Sequence, residues 1–132
     1  QDAAMAGLTP YGWGAAILYG GIIEEIMLRL FAMSLIALIL WKVFYRKNET
    51  VPVGILMASN VIAALLFAAG HLPATAVLFG ELTPIVLFRC FLLNGAFGLL
   101  FGWLYRKYGI QYAMASHALL HIISKTIWTV FT

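Results

Sequence analysis

The chain is a succession of mainly apolar runs, and three of them carry ionisable side chains in their interior. Glu24, Glu25 and Arg29 sit in the first, His71 follows Phe67 in the second, and His117 and His121 share the last. Such groups are costly in hydrocarbon, so they are rare there, face a bundle interior or a water-filled cavity, and default to a functional role. All three histidines of the chain fall in these runs.

The sequence is 64% hydrophobic and 10% charged, against roughly 25% charged in an ordinary soluble domain. It reads as an integral, multi-pass membrane protein in contact with lipid. Its 132 residues suit one domain of about four spanning helices, because each crossing needs about 20 mainly apolar residues. The expected fold is all-α, a polytopic membrane helical bundle. The chain opens on Gln1 without the charged segment, short apolar core and cleavage site of a signal peptide. Residues 1–132 are therefore expected to be a single domain, the core of a larger membrane protein.

A net charge of +3 does not point to nucleic acid, since Arg29, Lys42, Arg46, Lys47, Arg89, Arg106, Lys107 and Lys125 are dispersed rather than gathered in a stripe. Cys90 is the only cysteine, which excludes an internal disulfide and a cysteine-rich metal site.

A first helix is read from about Tyr11 to Tyr45. At 1.5 Å per residue it would be roughly 50 Å long against a hydrocarbon core of about 30 Å, so part of it must overshoot, tilt or break. A second lies between Pro52 and Phe79, most continuously apolar from Val61 onward, with a kink at Pro73. A third runs from Pro84 to Lys107 and stops before Gly109, and a fourth from Gln111 to Phe131. Arg46 and Lys47 in one turn and Arg106 and Lys107 in another place both basic loops on the cytoplasmic side of a four-crossing bundle.

On that topology Glu24 lies about 20 Å in from the outer surface, while His117 and His121 lie about 9 and 15 Å in from the cytoplasmic one. These levels agree. His71 joins them only if its helix begins near Val61, since a start at Pro52 would carry it to the far surface; the later start is therefore expected.

Glu25 and Arg29 are four apart and can form an ion pair on one helix face, whereas Glu24 points roughly 100° away. Glu25 is read as the structural anion and Glu24, free of that partner, as the candidate general base. His117 and His121 share a face at the spacing of helical zinc ligands. With His71 and Glu24 they could hold a divalent metal such as zinc; equally, one histidine could orient water while another donates to an oxyanion, with no metal. A buried polar network that only holds helices together is the bland alternative. No HExxH motif, no pair of aspartates (Asp2 is alone) and no glycine-framed serine is present. Gly98 and Gly102, extended by Gly95, read as a close helix contact, and Asn60 and Asn94 as interhelical hydrogen-bond donors. Phe67 reads as packing.

EExxxR at Glu24, Glu25 and Arg29, FxxxH at Phe67 and His71, and a last histidine helix at His117 resemble the CPBP family in content and order. That family comprises type II CAAX prenyl proteases and related bacteriocin-processing, Abi-like membrane enzymes. HLPAT at His71 to Thr75 and FGWLYRKYG at Phe101 to Gly109 extend the resemblance over residues 20–127.

The resemblance implies the catalytic core of an intramembrane glutamate- or metal-dependent endopeptidase in a bacterial plasma membrane, acting on a peptide or protein substrate near the cytoplasmic face. By it Glu24 would activate water with His71, Glu25, Arg29 and Phe67 would support the site, and His117 would help hold an oxyanion or a metal. His121 departs from the family's usual Asn or Asp, which replaces an amide donor to an oxyanion by an imidazole that can either donate in its place or favour a metal. A non-catalytic scaffold or bacteriocin-immunity protein is the rival class. A proton-coupled carrier would also use intramembrane Glu and His, but no inverted repeat is visible.

Overall fold

A computed structural model describes residues 9–131, and Asp2 lies outside them. The regular elements among these residues are helices: α1 (Pro10–Phe44), α2 (Val53–Gly70), α3 (Leu72–Phe79), α4 (Pro84–Tyr108) and α5 (Ile110–Phe131). α1, the α2–α3 segment and α4 are each long and apolar enough to cross a membrane. α5 has the length, at 22 residues, but its apolar face is diluted by His117, His121, Ser124 and Lys125. The four long helices of the expected bundle are all present.

Burial is inverted relative to a soluble protein. Leu18, Met27, Phe31, Val43, Phe88 and Leu92 are among the many large apolar residues facing outward, while Glu25, Arg29, Ser59 and His117 are inside with Ala63, Ala64, Ala68 and Ala113. Lipid solvates the outer residues as well as a core would, so helix association rests on small residues that allow close approach and on polar groups that bond across helices. α2 packs along α4, and α5 packs against both α4 and the first half of α1.

The middle of α1 has an unusual local geometry that its sequence explains. From Ala16 to Glu24 and from Ile26 to Met33 the backbone hydrogen bonds run to the fifth residue, giving wider turns than an α-helix. The buried residues Gly21, Glu25, Arg29, Met33 and Ala37 recur every four. On a regular helix each four-residue step overshoots by about 40°, so four steps would rotate the stripe by roughly 160° and carry Ala37 to the opposite face. Wider turns hold it on one face, and they also shorten the helix per residue. The anticipated excess length is thus taken up partly by wide turns and partly by overshoot, since Tyr105, near the end of α4, meets Ser34 rather than the end of α1.

The second helix corrects the sequence reading. It starts at Val53, directly after Pro52, and not near Val61. His71 nevertheless reaches the level of Glu24, because the helices do not enter on a common plane. His71 lies about 27 Å along from Val53, and His117 only about 10 Å from Ile110. The α1–α2 hairpin therefore projects well beyond the α4–α5 turn. The bend expected at Pro73 falls at His71 (φ −84°, ψ −6°), between α2 and α3. Proline cannot continue the amide ladder and its ring opposes the carbonyl four residues back.

α4 obeys its local signals: Thr83 caps the start by accepting from the Val86 amide at 3.4 Å, and Gly109 ends it at φ 106°. A Cβ on Gly98 would lie 3.1 Å from the Ala64 Cα, and one on Gly102 would collide with the Asn60 amide, so this glycine pair is the α2–α4 contact. Gly95 is buried on the same side and lines a cavity with Val61, Ala64 and Leu65 of α2, but a Cβ there would meet nothing within 4 Å, so the backbones approach less closely at this step. Asn60 donates across the interface to the Leu99 carbonyl at 3.1 Å, whereas Asn94 donates within its own helix to the Cys90 carbonyl at 3.0 Å, contrary to its expected interhelical role.

Candidate active site

Glu24 and Glu25 diverge as anticipated. Glu25 is fully buried, and its two oxygens serve different partners: Oε2 accepts from Arg29 Nε at 3.1 Å and Oε1 faces His117 Nδ1 at 2.9 Å. The ion pair read from the spacing is present, and Glu25 also ties α1 to α5. Arg29 is fully buried too, with its guanidinium 5.6 Å from the centre of the Phe67 ring. Its Nη1 and Nη2 have no hydrogen-bond partner among the described residues, so Glu25 is the group that compensates its charge.

Glu24 lies beside this pair, its side chain 21% exposed, with Oε2 3.9 Å from His117 Nε2. That separation is too long for a direct hydrogen bond and suits a bridging water. Glu24 lines a cavity of about 280 Å³ together with His71, Tyr19, Met27, Phe67 and Gly70.

His71 owes its place to the bend. Its backbone carbonyl accepts from both the amide and the hydroxyl of Thr75, at 2.9 and 2.8 Å. Its Nδ1 lies 2.9 Å from the Phe67 carbonyl. A carbonyl only accepts, so Nδ1 carries the proton, and Nε2 of the neutral ring is left as an acceptor. The HLPAT segment thereby fixes both the position and the tautomer of this imidazole.

His117, only 2% exposed, is the most constrained ring of the site. Phe101 stacks on it at 4.5 Å and 20°, His121 stacks at 4.9 Å and 18°, and the edge of Phe67 approaches at 5.5 Å and 84°. With Nδ1 donating to Glu25, only Nε2 points toward Glu24.

Of the residues singled out from sequence, Glu24, His71 and Phe67 share one cavity wall, and Glu25, Arg29 and His117 form a contiguous group behind it, in contact with Phe67. His117 and His121 are not among the residues lining that cavity. His121 lies in the stack, where Gly20 makes room for it: a Cβ at that position would overlap His121 Nε2 and come within 3.4 Å of His117 Nε2. Among the described residues no three His, Cys, Asp or Glu side chains are grouped so as to hold a metal. The donor set of Glu24, His71, His117 and His121, as arranged, does not fit a tetrahedral zinc site.

Sequence reading missed three contributors. Phe101 clamps His117, Gly20 accommodates His121, and Gly21 brings α1 against Ala118 of α5, where a Cβ would lie 2.9 Å from that of Ala118. The adjacent glycines one turn ahead of Glu24 and Glu25 were the available signal for a close α1–α5 crossing.

No curated protein and no solved structure matches the chain. A family model does, over residues 6–123 of the 132: type II CAAX prenyl endopeptidase Rce1-like. The match spans all the residues of the site and agrees with a helical membrane bundle, so the chain is an integral membrane protein belonging to the Rce1-like family of type II CAAX prenyl endopeptidases.

Proposed function

We propose that this protein is an intramembrane endopeptidase that hydrolyses a membrane-proximal peptide bond by general-base activation of water, with CAAX-type processing the substrate class that its family's description names. The observation that carries this reading is the shared cavity wall of Glu24 and His71, backed by a buried and fully oriented Glu25–Arg29–His117 group.

A water held between the Glu24 carboxylate and His71 Nε2 donates one hydrogen to each, which leaves an oxygen lone pair for the scissile carbonyl. Glu24 takes the proton as the oxygen bonds to the carbonyl carbon. The proton then passes to the amide nitrogen as the C–N bond breaks. His117 stands behind the Glu24 cavity with Nδ1 on Glu25 and Nε2 3.9 Å from the Glu24 carboxylate, so its part is to hold the two glutamates in place rather than to reach the oxyanion. Glu25 thus orients His117 as the carboxylate of a serine-protease triad orients its histidine.

We read the end bearing the basic turns of Arg46–Lys47 and Arg106–Lys107 as cytoplasmic by the positive-inside rule, with the reaction occurring nearer that side. Complementation of a strain lacking the protein by Glu24→Ala tests the assignment. A peptidase loses function, and a scaffold or immunity protein keeps it.

A further inference from the structure

A second cavity, of about 310 Å³, lies where the end of α1, the start of α2 and the end of α4 meet. It shares no lining residue with the Glu24 cavity. Met33 and Leu56 are among its apolar walls, and the hydroxyls of Ser34 and Tyr105 face each other within it at 3.0 Å. Two of its lining groups are left for a ligand. Trp41 Nε1 is buried without a hydrogen-bond partner among the described residues, and Arg106 contributes an exposed guanidinium.

An indole N–H donates only, and a buried donor without an acceptor is unfavourable, so this position calls for an acceptor from outside the chain. The surrounding charge says which kind. Lys42 Nζ lies 4.7 Å from the centre of the Trp41 indole. Lys107 follows Arg106 at the end of α4, and Arg46 and Lys47 follow α1. An apolar cavity of ligand-pocket size with an unpaired donor and clustered cations fits a molecule with an apolar tail and an anionic head.

We propose that this cavity binds an anionic phospholipid, its acyl chain against Met33 and Leu56 and its phosphate accepting from Trp41 Nε1 and Arg106. Basic pockets between membrane helices at a positively charged face take up anionic headgroups in this way. The proposal is independent of the peptidase reading, because the two cavities are separate.

The test uses the purified, delipidated chain in detergent, titrated with phosphatidylglycerol, with phosphatidylcholine of the same acyl chains, and with inorganic phosphate. Thermal melting of helical signal reports stabilisation, and native mass spectrometry reports retained lipid. Phosphatidylglycerol is expected to raise the melting midpoint saturably and to be retained at one equivalent. Phosphatidylcholine should bind at least about tenfold more weakly, and phosphate alone should not shift the midpoint. Trp41→Phe, which keeps an aromatic ring, and Arg106→Gln should each weaken phosphatidylglycerol by about tenfold, the loss of one charge-assisted hydrogen bond. Equal binding of the two lipids, a shift reproduced by phosphate alone, or wild-type binding in both variants would overturn the proposal. If either variant fails to fold, the ratio of the two lipids on the wild-type protein decides.

Discussion

Replacing Glu25 by Gln should destabilise this bundle far more than replacing Glu24, and the reason lies in what each leaves behind. Arg29 is fully buried, two of its nitrogens have no partner among the described residues, and its Nε donates to Glu25. Removing the Glu25 charge strands a guanidinium inside the bundle, at a cost of about 3–5 kcal/mol, a factor of roughly 10²–10⁴ in the folded population. Glu24 has one fifth of its side chain exposed and approaches His117 no closer than 3.9 Å, beyond hydrogen-bond reach, so Glu24→Gln should cost under about 1 kcal/mol. The double variant Glu25→Gln with Arg29→Met removes both charges, and replacing a buried pair by apolar volume is often neutral. It should recover most of the loss. Unfolding by denaturing detergent, followed by far-ultraviolet circular dichroism, measures all three. A double variant as unstable as Glu25→Gln alone would refute the reasoning and assign Glu25's contribution to His117 instead.

Two further outcomes follow from the packing of the site. Gly20→Ala should push the His121 ring out of its stack on His117, costing about 1–3 kcal/mol in stability as overpacking does; a variant as stable and as active as wild type would show that the stack is dispensable. The purified protein should hold well under one zinc ion per chain by elemental analysis, with the content unchanged in His121→Asn. Stoichiometric zinc lost in that variant would restore a metal role for the four candidate donors.

The fold was legible where local chemistry governs it. Pro84 and Gly109 bracket α4, Pro73 announces the bend after α2, and the polar groups inside apolar runs mark the inward faces. The start of the second helix was misread because depth was counted from one plane for every helix. Nothing in a single sequence reveals that the α1–α2 hairpin projects beyond the α4–α5 turn. The wide turns of α1 were present as the four-residue recurrence of Gly21, Glu25, Arg29, Met33 and Ala37, a period longer than 3.6 that accumulates only over several turns. In the site, the i, i+4 pair of Glu25 and Arg29 follows from helix geometry alone. The bond from Glu25 to His117 does not, because it spans 92 residues of sequence and depends on how α5 docks. His121 shares a helix face with His117, as spacing requires, and that same closeness lets the two rings stack rather than diverge around a common ligand.

In the proposed reaction Glu24 activates water while the group behind it holds the site in shape. The single-turnover rate of peptide cleavage by Glu24→Gln in liposomes, with helical content checked on the same sample, tests it most directly. A fall of about 10²–10⁴-fold with the helical signal retained is the predicted result; an undiminished rate in a folded variant would contradict it.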